Sequence, residues 1–270
     1  MSLALTSPML FLTTTPIWIA AIVLLVPTTA IAMAGPPIVR RYVTLEKLRT
    51  NNEVAGFKFA TVGVIYAVLL AFAIVVVWER FNQAENDVAK EASAVATVMR
   101  LTQGLDAPHG AAIREATIAY IKAAVERDWP AMAEGRPSHT VTVMLSKIYD
   151  AVLKYHAFDN NEALVVTQIL QNVDEMSEAR RARLVVATGI VPGIIWIVLF
   201  VGAFLTLLFT FFFGTPNLRA QIMMSAALSI LIFGGLLTIV AIDHPFAGTV
   251  HVGPEALTAV IEDFATTGSK

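Results

Sequence analysis

The chain has no cysteine among its 270 residues, which excludes disulfide frameworks, thiolate metal sites, thioether-linked haem and cysteine nucleophiles. Charge is also scarce: 15% of residues are Asp, Glu, Lys or Arg, the net charge is -2, and the isoelectric point lies near 6.2. Such a balance provides no basic field to hold nucleic acid, and nucleic-acid partners are set aside. A Gly-rich phosphate loop, a GxSxG elbow, an HExxH helix and a dinucleotide fingerprint are all missing, so the expectation is not an enzyme, and no cofactor is implied. What is abundant is apolar. Hydrophobic residues make up 56% of the chain and the mean hydropathy is +0.68, more than one water-soluble core can bury.

The fold class that follows is all-α: a polytopic membrane protein with about four transmembrane helices and a helical-bundle extramembrane domain between spans two and three. After an N-terminal segment (1–15), residues 16–34 are free of charge over about the length a helix needs to cross the hydrocarbon. Pro27 is expected to kink this span. The small-residue ending Ala30-Ile31-Ala32-Met33-Ala34-Gly35 looks like a signal-peptide cleavage site, but no Lys or Arg precedes the run and Arg40, Arg41, Lys47 and Arg49 follow it, the reverse of a signal peptide. Residues 35–56 read as a basic loop and 57–78 as the second span, with Lys58 placed to snorkel and Trp78 at the interface.

Residues 79–188 read as the extramembrane domain, its 12 Lys or Arg and 15 Asp or Glu between Glu79 and Arg183 alternating with apolar residues at helical spacing. The first of its helices continues the second span to about Leu101. The second is expected over Ala111 to Arg127 between Pro108 and Pro130, the third over Ser138 to His156. The fourth is capped near Asp159, reaches Arg183 and enters the membrane. Four antiparallel segments suggest a small bundle. The third span is placed at 189–213, where Gly189 to Gly193 offers small residues for close helix contact, the fourth at 222–242 interrupted by Gly234 and Gly235, and a short C-terminal tail at 243–270.

Candidate functional residues are few. Gly56, Thr61, Gly63 and Tyr66 are the non-aliphatic positions of the second span and are candidates to line a pore, although Gly56 and Gly63 also fit plain helix packing. Phe204, Phe209 and Phe212, in a run with Phe211 and Phe213, could constrict a pore or face lipid. Asp243, His244, His251 and Glu255 carry ligand-type groups, but their spacing lacks the regularity of a metal site; no metal is expected, and Asp243 can cap the local turn. A lipid-directed enzyme using Asp243, His244 and His251 is a minor alternative. Asp174, Glu175 and Glu178 read as a solvated helix face. Arg180, Arg181 and Arg183 read as interfacial anchors that could hold lipid phosphates or attract anions, with Glu79 and Arg80 as neighbours for a local charge pair.

Asn52-Glu53-Val54-Ala55-Gly56, then Tyr66-Ala67-Val68-Leu69-Leu70-Ala71-Phe72 and Trp78-Glu79, together with Asp243-His244-Pro245-Phe246-Ala247-Gly248 followed by Val252, Pro254 and Leu257, resemble the bestrophin-like membrane proteins of bacteria. The resemblance runs from about Asn52 to Leu257, and its motif residues are Asn52, Glu53, Gly56, Trp78, Asp243, Pro245, Phe246 and Gly248. It implies a distant relation to bestrophins, which are oligomeric anion channels with four-helix membrane regions and a helical cytosolic domain. Their acidic calcium clasp has no counterpart, because Gly248 is followed by Thr249-Val250-His251-Val252-Gly253, and calcium gating is not implied. Location in a cell membrane, as in a bacterial inner membrane, is expected, with membrane lipids, further copies of the chain and inorganic ions as partners. The first-loop charges and Arg219 place that side in the cytoplasm and the helical domain outside, whereas the resemblance implies a cytoplasmic domain. The functional expectation is an oligomeric, channel-like protein with a pore between subunits; the alternative is a membrane-anchored interaction or sensor protein that does not conduct.

Overall fold

The structure, a computed structural model, describes residues 10–50, 52–157 and 159–267; residues 1–9 of the N-terminal segment lie outside these. The described elements are helical throughout: α1 (Leu10–Thr14), α2 (Ile17–Tyr42), α3 (Leu45–Thr50), α4 (Asn52–Leu101), α5 (Ala107–Ala123), α6 (Trp129–Ala133), α7 (His139–Leu153), α8 (Asn160–Val186), α9 (Gly193–Phe211), α10 (Leu218–Ile242) and α11 (Glu255–Thr267). A 3-10 turn (Thr102–Gly104) follows α4, and a π turn (Ala124–Asp128) joins α5 to α6. The chain forms two compact units, Met1–Glu79 with Ile190–Asp243, and Arg80–Gly189 with His244–Lys270.

Among the described residues four helices are long and apolar enough to cross a membrane: α2, α9 and α10, which lie in the first unit, and α4, which starts there. Helix α2 continues through Pro27, Pro36 and Pro37 to Tyr42; the Thr28 hydroxyl donates to the Leu24 and Leu25 carbonyls at 2.6 and 3.1 Å, as hydroxyls do for backbone groups near prolines in a membrane. The expected loop at 35–56 is therefore mostly helix, in the end of α2, α3 and the start of α4. Its Arg40 is not a free basic flank: the guanidinium donates to the Thr215 carbonyl and, at 2.9 Å, to Gln221 Oε1.

Helices meet where side chains are smallest, because lipid supplies no hydrophobic drive and close packing must. A Cβ on Gly35 would fall 2.4 Å from the Phe211 ring, on Gly202 2.5 Å from Tyr66, and on Gly235 2.9 Å from Leu70. Gly234 and Gly235 do not interrupt the fourth span, since α10 runs unbroken through both. Gly189 to Gly193 is not a helix face: α8 ends at Val186, Gly189 adopts φ +106° and α9 begins only at Gly193. The fourth domain helix and the third span are thus separate helices, whereas α4 is continuous from Asn52 to Leu101 as expected.

The second unit surrounds an apolar core that includes Val95, Met99, Ile113, Ile148, Ile169 and Met176. Asp159 caps α8 by accepting from the Glu162 amide at 2.8 Å. Pro130 does not end the α5 segment; it sits in the first turn of α6, directly after the π turn. The C-terminal residues are more than a tail, because α11 buries Leu257 and Val260 in this core.

Gly214 has no room to change, since a Cβ there would lie 2.6 Å from the Arg49 amide nitrogen and 2.7 Å from the Leu48 carbonyl carbon, backbone atoms that cannot rotate away. Gly214→Ala is expected to destabilise the protein by about 1–3 kcal/mol and to lower its melting temperature in detergent. Gly234→Ala, with open space above it, is expected to leave the melt unchanged.

Candidate functional site

Within the first unit, the spanning part of α4 carries the residues of interest. At about 100° per residue its positions fall into three sectors. Val62, Tyr66, Leu70 and Val77 turn toward the unit's own helices, with Tyr66 only 4% exposed against Gly202. Gly56, Ala60, Gly63, Ala67 and Ala71 form a second sector of small side chains, and a Cβ on Gly63 would meet nothing within 4 Å. Phe57, Thr61, Ile65, Val68, Phe72 and Val75 form the third, bulky and exposed, with Phe72 67% accessible. Thr61 satisfies its own hydroxyl by donating to the Phe57 carbonyl at 3.1 Å.

This corrects part of the sequence expectation. Tyr66 belongs to the packed interior of the first unit, because the missing side chain of Gly202 admits its ring. Thr61 lies in the bulky exposed sector, and Gly56 and Gly63 in the small one. Beside the bulky sector, Leu69, Phe72, Ala73 and Val76 face Ile190 to Pro192, Ile195, Val198 and Leu199 across an almost wholly apolar groove of about 270 Å³. The phenylalanines do not converge within the first unit: Phe204 and Phe212 are exposed, Phe209 is half-buried, Phe211 packs on Gly35 and Phe213 makes an edge contact with Phe59 at 5.6 Å.

Polar groups of this unit pin its ends. Asn52 donates to the Gly214 carbonyl and accepts from the Gly214 amide, both at 2.9 Å, which locks the start of α4 to the α9–α10 turn. Gln221 donates to the Phe213 carbonyl at 2.8 Å and Asn217 caps α10 through the Ala220 amide at 3.1 Å. At the end of α10, Asp243 Oδ1 accepts from the Ile190 and Val191 amides at 3.2 and 2.7 Å. Asp243 therefore ties the end of α10 to the Ile190–Val191 segment, more than 50 positions away in the sequence. Among the described residues no three His, Asp or Glu side chains are grouped as metal ligands would be. Glu53 and Trp78 are exposed.

In the second unit the structure assembles residues that sequence reasoning left apart. Arg183, fully buried, donates from Nε to Glu91 Oε2 at 2.6 Å and from Nη2 to Glu91 Oε1 and Asp128 Oδ2 at 3.1 Å each. Arg180 grips the same Asp128 at 2.7 and 3.1 Å and donates to the Ser138 carbonyl at 3.1 Å, while the Ser138 amide returns a bond to Asp128 at 3.1 Å. The Tyr120 hydroxyl donates to Glu91, and the Arg183 guanidinium lies 4.5 Å from the centroid of the Trp129 ring, a favourable cation–π placement. Trp129 in turn donates to the Val252 carbonyl at 3.1 Å and meets Phe246 edge-on at 6.1 Å. The closing motif is part of this packing: Pro245 accepts from the Val252 amide at 2.7 Å, and Gly248 turns the chain at φ +80°.

Arg180 and Arg183 are thus not interfacial anchors, and their partners are Asp128 and Glu91 rather than Glu79. The signal that could have found them is phase. Arg180 and Arg183 continue the buried stripe Ile169, Val173 and Met176 of α8, and Glu91 lies on the buried stripe Ala84, Val88, Val95 and Val98 of α4. Charges on an apolar phase need one another. Arg181, off that phase, is exposed.

The sequence matches the Bestrophin-like domain over residues 26–257. The chain belongs to the Bestrophin-like family. Its fold is that of two crystal structures of a bacterial bestrophin homologue from Klebsiella pneumoniae, each carrying a point mutation. One is 15% identical with a TM-score of 0.65, covering 90% of this chain and 98% of that one. The other is 13% identical with a TM-score of 0.68, covering 92% and 99%. A further crystal structure, of a membrane protein, is 18% identical with a TM-score of 0.67 and covers 90% and 95%. No curated protein matches the chain by sequence.

The buried network of this Bestrophin-like protein makes two measurable demands. Arg183→Met leaves Glu91 and part of Asp128 buried without a counter-charge and is expected to cost about 3–5 kcal/mol, read as a large loss in denaturant midpoint. Burial and the adjacent Glu91 carboxylate hold the Tyr120 hydroxyl well above its ordinary value of 10. The folded state therefore keeps a proton that the unfolded chain releases, so this contribution is intact below pH 10 and declines as pH rises above it. Tyr120→Phe should flatten the alkaline loss of stability.

Proposed function

We propose that the chain assembles with copies of itself into a ring in a bacterial inner membrane and conducts inorganic ions along the ring axis, a conduit rather than a catalyst. The observation that carries this reading is the division of the α4 span into three sectors. One packs on the subunit's own helices, and an adjacent one is small enough for a neighbouring helix to approach closely. The third, Thr61, Ile65, Val68, Phe72 and Val75, is left for the axis. A helix that lines a ring must make these three kinds of contact at once: to itself, to its neighbour and to the pathway. Membership of the Bestrophin-like family supports the reading, and lipid would cover the outward faces of α2, α9 and α10. Phe204 and Phe212, exposed on one side of the α9 region, then face lipid or a neighbouring subunit.

The test is flux and hydration together. Protein reconstituted into liposomes is expected to pass small ions, and cysteines placed singly along residues 57–78 of this cysteine-free chain should react with a water-soluble thiol reagent in one stripe, at Thr61, Ile65, Val68 and Phe72. Cysteines at Tyr66 and Leu70 should stay unreactive. Absence of flux across voltages and ion types, or uniform labelling around the helix, would sink the proposal in favour of a membrane anchor for an interaction domain.

A further inference from the structure

A second site lies in the Arg80–Gly189 and His244–Lys270 unit, where the end of α4, helix α5 and helix α11 enclose a pocket of about 330 Å³. Gly110 allows α5 to start there, because a Cβ would fall 2.4 Å from the Thr102 carbonyl oxygen. One turn on, Arg114 leads a face that continues through Ile118 to Lys122 at helical spacing, and all three line the pocket. Its apolar wall is Met99, Ile261 and Phe264.

The electrostatics of the pocket are one-sided. Its charged lining residues are Arg114 and Lys122, with no carboxylate among the lining side chains. Neither cation forms an ion pair among the described residues. The Arg114 guanidinium is oriented by Nη2 donating to the Thr102 hydroxyl at 3.3 Å, and that hydroxyl is itself committed to the Met99 carbonyl at 2.7 Å. Arg114 Nε is withdrawn from water and has no hydrogen-bond partner, so the charge and the outer nitrogens of the guanidinium are what the pocket can present to a ligand. A planar guanidinium without a carboxylate partner suits a carboxylate ligand, Lys122 adds a mobile second charge, and the apolar wall accepts a hydrocarbon body. The volume is at the small end of ligand pockets, which run from about 300 to 1,000 Å³.

We propose that this pocket binds a small organic carboxylate with an apolar body, its carboxylate on Arg114 and Lys122 and its body against Met99, Ile118, Ile261 and Phe264. The proposal does not depend on ion conduction, because binding is read without flux.

The experiment titrates 4-phenylbutyrate into the full-length protein in phosphatidylcholine nanodiscs by calorimetry, with empty nanodiscs as the blank and 4-phenylbutanol as the uncharged counterpart. Saturable binding of the acid is expected. The alcohol should bind at least about tenfold more weakly, a difference of about 1.4 kcal/mol. Arg114→Gln should weaken the acid by a similar factor, and the exposed Lys122→Gln by a smaller one, both with an unchanged thermal melt in the absence of the acid. Lys122→Gln keeps the test informative should Arg114→Gln fold poorly. No saturable binding to the wild type, equal affinity for the alcohol, or wild-type affinity in Lys122→Gln with Arg114→Gln folded and equally tight would overturn the proposal.

Discussion

The buried pairing of Arg183 with Glu91 and Asp128 is the constraint on which the extramembrane unit depends. Charges removed from water are tolerated only when each is met by opposite charge and by hydrogen bonds, and here two arginines face two carboxylates with Tyr120, Ser138 and Trp129 completing the contacts. The groups come from α4, α5, the π turn, α6 and α8. Because side chains rotate about 100° with each residue of a helix, a slip of one position in α4 or α8 would carry Glu91 or Arg183 out of the network. An apolar core tolerates such slips better than this arrangement does. The π turn that ends in Asp128 is consistent with that demand, since such turns persist where tertiary contacts hold them.

Much of this fold is legible in the sequence because its signals are local. The spans announce themselves by length without charge, and α7 and α8 by apolar periodicity and by Ser138 and Asp159 at their starts. The break between α8 and α9 was hidden by composition, since Val185 to Phe213 is an uncharged run, and hydropathy does not register a glycine at φ +106°. The ionic network was hidden by distance. Glu91 and Arg183 are 92 positions apart, and clustered arginines beside a membrane have an ordinary reading as anchors. Only their phase, shared with Ile169, Val173 and Met176, separates the two readings.

The motif residues show a similar shift of meaning. Asn52 and Asp243 would pass for transport residues in a membrane protein with few polar groups, yet both are spent on backbone: Asn52 on the two polar groups of Gly214, Asp243 on the amides of Ile190 and Val191. Within lipid an unpaired backbone group costs several kcal/mol, so the turns that join spans need dedicated partners. Gln221, bonded to the Phe213 carbonyl and to Arg40, belongs to the same class. These residues close the fold.

That leaves the α4 span as the place where surface chemistry separates the alternatives. Its bulky sector offers no free polar group, since Thr61 bonds its own helix, so lipid would cover it as readily as a partner would. The small sector is different. A face of Gly56, Ala60, Gly63, Ala67 and Ala71 gives lipid chains little to pack against but lets a helix backbone come close, where dispersion and weak C–H···O hydrogen bonds act at short range. Occupying the small sector with a neighbour places the bulky sector at the next angular position, toward whatever the subunits enclose. A pathway lined by Ile65, Val68 and Phe72 would offer an ion no ligand, so any discrimination between ions would have to arise where polar groups return.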